Sequence, residues 1–194
     1  MIMFDTFKAD LRRNLQDYGP CGSLKKIALA LTLNSTHAVF LIRLQQWCAG
    51  KGLPTFFAAK LLFWFFKIEI SRHAKIKKGL KLPHPMGIII APNTEVGENC
   101  DIYADVRLVW AHGIKRGPKI GNNVFLGDGA KLVGDIHIGH HAIIGVSSVV
   151  TKDVPADCTA VGNPARIIDQ SNGRATEFPK DNPDIAASPV DSPA

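Results

Sequence analysis

A chain of 194 residues with 46% hydrophobic and 21% charged residues has enough apolar material for one solid core, and its mixture excludes a fibrous or wholly disordered chain. The net charge of +6 divides unevenly: residues 1–81 carry 14 Lys/Arg against 4 Asp/Glu, a balance of +10, and residues 82–194 carry 9 against 13, a balance of −4. Cys21, Cys48, Cys100 and Cys158 form no closely spaced pair, which argues against a disulfide framework, and Asp5 and Asp10 interrupt the apolar run that a secretory leader needs, so a reducing cytoplasm is expected.

Residues 1–67 read as a helical region. Phe4, Phe7, Leu11 and Leu15 recur at steps of three and four and predict one apolar stripe. Gly19-Pro20 breaks this run, Gly22-Ser23 opens a second, Asn34-Ser35 is a further cap, and Trp47-Cys48-Ala49-Gly50 is a stop. Pro54 then starts an aromatic-rich segment, Thr55–Lys67, shorter than the roughly 20 residues that span a bilayer. It suits either an oligomer or core contact, or an interfacial helix giving peripheral contact at the inner face of a membrane. The aromatics cluster in one block instead of interleaving with the basic residues, which argues against nucleic acid.

From Ile70 the period becomes six. Ile70, Ile76, Leu82 and Ile88 are followed by a shift of two, and then by Ile90, Val96, Ile102, Leu108, Ile114, Ile120, Leu126, Leu132, Ile138, Ile144 and Val150. Four residues after most of these comes a second inward candidate: Ala74, Leu80, Met86, Thr94, Cys100, Val106, Val124, Ala130, Ile136, Ala142, Ser148 and Val154. Neither helix nor alternating strand has this period; a solenoid with a triangular coil does, each hexad making one side and one corner. Glycines directly after Val96, Ile120, Leu126, Ile138 and Ile144 are expected to relieve the tight corner backbone. Val109–Pro118 reads as a loop leaving the prism. The solenoid is expected over 68–168, and the Ser-, Pro- and Asp-rich stretch 169–194 as a disordered tail.

The stretch Lys119–Ile168, ending in Val-Pro and then Gly162-Asn163-Pro164-Ala165-Arg166, resembles the C-terminal half of serine acetyltransferases and related hexapeptide-repeat O-acetyltransferases. Glu69–Ile102 is similar to the first coils of that family. The resemblance implies a mainly β fold, a left-handed parallel β-helix, and direct acetyl transfer from acetyl-CoA to a hydroxyl. In the family a histidine acts as base; Pro83-His84-Pro85-Met86-Gly87 occupies its place, making His84 the candidate, with Glu69 fifteen positions earlier orienting it. Histidine suits the task because its ordinary pKa of about 6.5 lies near operating pH. Arg116 falls at a substrate-binding position, and His112, five residues earlier than Gly117, is a candidate to replace the family's second histidine there. Coenzyme A is expected against Gly127, Gly129, Ala130, Gly145 and Ser147, with Lys152 and Arg166 toward phosphates. His137, His140 and His141 lack companions that would complete a ligand set, so no metal is expected.

Two departures bear on the acceptor: the family's acidic residue before the base is Pro83 here, and its second histidine is Gly117. These favour a sugar or polysaccharide hydroxyl over serine, with serine O-acetylation as the alternative and a non-catalytic solenoid scaffold as the reading from another class. A homotrimer is expected, because the family's site lies between adjacent prisms.

Overall fold

The computed structural model describes residues 2–18, 28, 30–113 and 115–169. Helices α1 (Ile2–Asn14), α2 (Asn34–Gly50) and α3 (Phe56–Phe66) pack in sequence beneath a β-solenoid of about five coils. Its first face stacks β1 (Glu69–Ile70), β3 (Ile89–Ile90), β6 (Arg107–Val109), β9 (Lys131–Val133) and β12 (Val149–Val150). The second stacks β2 (Lys75–Ile76), β4 (Glu95–Val96), β7 (Lys119–Ile120) and β10 (His137–Ile138). The third stacks β5 (Asp101–Ile102), β8 (Phe125–Leu126), β11 (Ile143–Ile144) and β13 (Cys158–Val161), closed by the antiparallel β14 (Arg166–Asp169).

Six-residue spacing becomes geometry through register. The pairs Ile70↔Ile90, Ile90↔Leu108, Leu108↔Leu132 and Leu132↔Val150 give coils of 20, 18, 24 and 18 residues. Three hexads make 18, so the first coil holds two extra residues and the third six. The two fall between Leu82 and Ile90, at the edge where the third face turns into the first. The six fall in the loop after β6, where the first face turns into the second. Every described aliphatic of the main series is buried except Ile70, which is half-buried; Ile114 lies outside the described residues. The second series is buried too, apart from Met86, which is 63% exposed. The two-residue insertion pushes Met86 outward, and Ile88 fills the interior in its place.

The hexad glycines serve a different purpose from the one expected. Left-handed backbone at the corners belongs mostly to Asn99, Asp105, Asn123, His141, Ser147 and Asp157, joined by Gly79, Gly87 and Gly129. Gly127 and its equivalents after the aliphatics have ordinary φ. What they avoid is collision: a Cβ on Gly127 would lie 2.9 Å from the Val146 nitrogen and 3.0 Å from the Ile144 oxygen of the next coil.

The helical region differs more from expectation. Asn34 is the first helical residue after Leu33 and makes no side-chain cap, and Gly22-Ser23 lies outside the described residues, as does 170–194. On α1 the buried residues are Asp10, Arg13 and Asn14; of the expected stripe Phe7, Leu11 and Leu15 are half-buried, Phe7 packing against the core, and Phe4 is largely exposed. The reason lies in the first coil, whose lower rim has no preceding coil to pair with. Asp10 accepts from the Gly79 and Leu80 nitrogens at 2.7 and 2.8 Å, and Asn14 accepts from the Leu82 nitrogen at 3.0 Å. Arg43 of α2 donates to the Ile76 and Lys77 oxygens, and its guanidinium grips Asp10 at 2.6 Å. Arg13 donates to the Gly79 oxygen and pairs with Asp101. A polar plate thus ends the solenoid, in the way capping repeats end other repeat folds. On α3 only Ala58, Leu62 and Phe66 are buried, so the core-contact reading fails for its remaining aromatics. Among the described residues no helix is long and apolar enough to cross a membrane.

Candidate active site

The edge where the third face turns into the first gathers most of the chemistry expected from the sequence. It carries His84 in the first coil, Tyr103 and Asp105 in the second, Gly127–Ala130 in the third, Gly145–Ser148 in the fourth and Val161–Arg166 at its end. Backbone bonds stack these corners directly: the Asp105 nitrogen donates to the Met86 oxygen, that of Gly129 to Ala104 and that of Ser147 to Asp128, at 2.7–2.8 Å. Coils are about 4.8 Å apart, so His84 stands three spacings, about 14 Å, from Gly145 along one line.

His84 is exposed because the insertion carries it outward, with Met86 beside it. Its ring meets that of Tyr103 edge-on, with centroids 6.0 Å apart, and Tyr103 in turn packs against Phe125 at 5.0 Å. Tyr103 was not singled out by the sequence; it sits at an ordinary corner position, and only the stacking of coils brings it to His84. Glu69 begins the first face at the same end of the edge. The Gly87 nitrogen donates to the Phe66 oxygen, tying the His84 corner to the turn before Glu69. Glu69 and His84 share no hydrogen bond; Glu69 instead lines a groove of about 610 Å³ between α3 and the strands β1 and β3.

The expected coenzyme positions Gly127, Gly129, Ala130, Gly145 and Ser147 come together on the edge. Their N–H groups are already used: Gly127 donates to Ile144, Gly129 to Ala104, Ala130 to Gly127, Gly145 to Ala160 and Ser147 to Asp128. The carbonyl oxygens of Gly127, Gly129, Ala130 and Gly145 also accept already, so what the edge offers an extended ligand is a surface kept low by missing side chains. Arg166, on β14 opposite Val161, is exposed at the far end of the same edge.

Arg116, His112 and Lys152 stand apart, at the edge between the first and second faces. Arg116 pairs with Asp135 at 3.6 Å, and His112 and Lys152 are exposed. Gly117 is buried, and a Cβ there would collide with Thr94 Oγ1 and lie 3.2 Å from its Cα. Thr94 is fully buried, and among the described residues its hydroxyl has no hydrogen-bond partner. No side chain enters position 117 unless Thr94 gives way.

Known proteins resemble this chain in sequence and in fold. Residues 117–152 match the family model described as bacterial transferase hexapeptide (six repeats). A serine acetyltransferase of Synechococcus elongatus is 35% identical over 176 residues, covering 89% of this chain and 71% of the relative. One from Staphylococcus aureus is 41% identical over 179 residues, covering 90% and 82%. Among solved structures, Neisseria gonorrhoeae serine acetyltransferase in complex with serine superposes with a TM-score of 0.75 at 30% identity, over 84% of this chain and 68% of that one. A serine acetyltransferase complex with CoA superposes with a TM-score of 0.75 at 28% identity, over 86% and 69%.

Proposed function

The chain belongs to the serine acetyltransferase family of hexapeptide-repeat transferases, and we propose that it carries an acetyl group from acetyl-CoA to the hydroxyl of serine with His84 as general base. It is an acetyl-CoA-dependent O-acetyltransferase. The finer reading rests on one observation: His84 heads the same prism edge that the side-chain-poor corners Gly127–Ala130 and Gly145–Ser147 line further along. Acetyl-CoA supplies the acetyl group as a thioester. The His84 imidazole takes the proton from the acceptor hydroxyl as that oxygen bonds to the acetyl carbon, and returns it to the departing sulfur, so that proton and electron pairs balance. Tyr103 limits how the ring can turn. Glu69 begins the first face at the same end of the edge, three residues after the Phe66 oxygen that accepts from the Gly87 nitrogen, and its role here is to support the charged imidazole.

Arg116, His112 and Lys152 lie across the first face from this edge, and a neighbouring prism in a homotrimer would bring them to it. Sedimentation velocity should give a trimer; a monomer with intact activity would remove this element.

The relatives compared above are serine acetyltransferases, so they favour serine and give no support to the saccharide acceptor that Pro83 and Gly117 suggested. The saccharide hydroxyl stays a second reading only through the two departures in sequence, Pro83 in place of the acidic residue and Gly117 in place of the second histidine. The deciding experiment follows CoA release from acetyl-CoA by the purified chain, with serine, nucleotide sugars and oligosaccharides as acceptors. Serine-dependent release with inert sugars is expected. Inert serine with an acetylated saccharide would replace the first reading by the second, and acceptor-independent silence would leave a scaffold.

A further inference from the structure

Helix α3 leaves Phe57, Phe65, Trp64 and Phe56 exposed at 76%, 72%, 67% and 60%, against a buried side of one residue per turn. A contiguous apolar face of this kind marks an interaction surface, and its lysines decide which. At 3.6 residues per turn, Lys60 falls on the outward arc between Phe56 and Trp64, opposite Leu62, and Lys67 caps the helix C-terminus in left-handed backbone. Lys60 Nζ lies 5.6 Å from the centre of the Phe56 ring, and Lys67 Nζ 5.0 Å from that of Phe63. From Tyr18 to Ile68 the sequence holds six Lys/Arg and no Asp or Glu. Of these, Arg43 is neutralised by Asp10.

Pairing this helix with its equivalent in a second copy would bury Lys60 and Lys67 among aromatics, where Glu69, which lines the same groove as Lys60, could meet one of the two ammonium groups at most. Buried unpaired ammonium groups are costly, and lysine is depleted from interface cores. A lipid surface makes no such demand, because lysine stems lie along the rings while the ammonium groups reach headgroup phosphates. Eleven residues are too few to cross a bilayer but enough to lie flat on one. We propose that α3 docks the protein on an anionic membrane surface, with Phe57, Trp64 and Phe65 entering the headgroup boundary and Lys60 and Lys67 contacting phosphates. This holds whichever hydroxyl is acetylated.

The test is co-sedimentation of the full chain with vesicles of phosphatidylcholine alone or mixed with phosphatidylglycerol. Retention on the anionic vesicles is expected, weakened by added salt. Phe57→Ser with Trp64→Ser should lower partitioning about tenfold or more and leave CoA release in solution unchanged. Lys60→Glu with Lys67→Glu should remove the preference for anionic vesicles, again by about tenfold. Circular dichroism of each variant should match that of the wild type, since the substituted residues are exposed. Wild-type protein that stays in the supernatant with both vesicles would overturn the proposal. So would sedimentation velocity showing that Phe57→Ser with Trp64→Ser breaks an assembly while vesicle binding is unaffected, which would make the face a contact between copies.

Discussion

Replacing Asp10 by alanine should cost the protein about 4 kcal/mol although Asp10 lies on a helix outside the solenoid. The carboxylate is fully buried and meets four donors: the Gly79 and Leu80 nitrogens, and Arg43 through Nε at 2.6 Å and Nη2 at 3.1 Å. Alanine leaves Arg43 buried without its counter-charge, and breaking a buried pair from one side costs about 3–5 kcal/mol. It also leaves two backbone N–H groups of the first coil unmet, at about 1–3 kcal/mol each if water cannot reach them. These losses overlap, because Arg43 keeps its bonds to the Ile76 and Lys77 oxygens and the small side chain admits water. With an m-value of about 2–3 kcal/mol/M, the urea midpoint should fall by about 1.3–2 M. The assay is urea unfolding followed by far-ultraviolet circular dichroism at one fixed protomer concentration, since assembly shifts apparent stability. Asp5→Ala, on the exposed part of the same helix, should stay within about 0.5 kcal/mol. A shift for Asp10→Ala no larger than that control would refute the idea that a polar plate ends the solenoid.

Gly127→Ala should destabilise by about 1–3 kcal/mol, since its Cβ would press on backbone of the next coil at 2.9–3.0 Å and not on a yielding side chain; thermal unfolding checks this, and an unchanged midpoint would show that the coils part easily. Burial pushes the Cys100 thiol from the ordinary 9.0 up to about 11. Iodoacetamide at pH 8, read by peptide mass spectrometry, should therefore label the half-buried Cys48 well before Cys100. The same shift has a sign for stability. The folded protein keeps the Cys100 proton after the unfolded chain has lost it, so stability is full below pH 9 and falls, by about 2–3 kcal/mol from this group, as pH rises toward 11. A Cys100→Ala variant lacking that part of the alkaline loss would agree.

The solenoid was legible because its signal is redundant: each coil repeats the same demand, and one outlier such as Met86 cannot disturb the period. Even there the shift of two between Leu82 and Ile90 announced a local change, though not that it would lift His84 out of the edge. The glycines were recognised but assigned the wrong reason. Spacing tells that a small residue is needed, whereas only stacked coils separate a φ requirement from a collision. The polar plate was hidden, since Phe4, Phe7, Leu11 and Leu15 form a convincing apolar stripe and nothing local marks Asp10 and Asn14 as inward. Their partners lie 66–70 residues away, on a rim that exists only once the first coil has closed. The site was partly legible in the same way. His84 and the corner residues could be placed by motif and period, but Tyr103 joins them through stacking. The crowding of Thr94 against Gly117 needs the fold to bring two residues of neighbouring coils together.

The account stands most directly on the role of His84. Steady-state acetyl transfer, measured as CoA release with saturating acetyl-CoA and the productive acceptor, should compare wild type, His84→Ala and Glu69→Gln. The account predicts that His84→Ala lowers turnover by roughly 10²–10⁴-fold with acetyl-CoA binding and the circular dichroism spectrum preserved, and that Glu69→Gln loses less. Turnover unchanged in His84→Ala, with acetyl-CoA still bound, would contradict it.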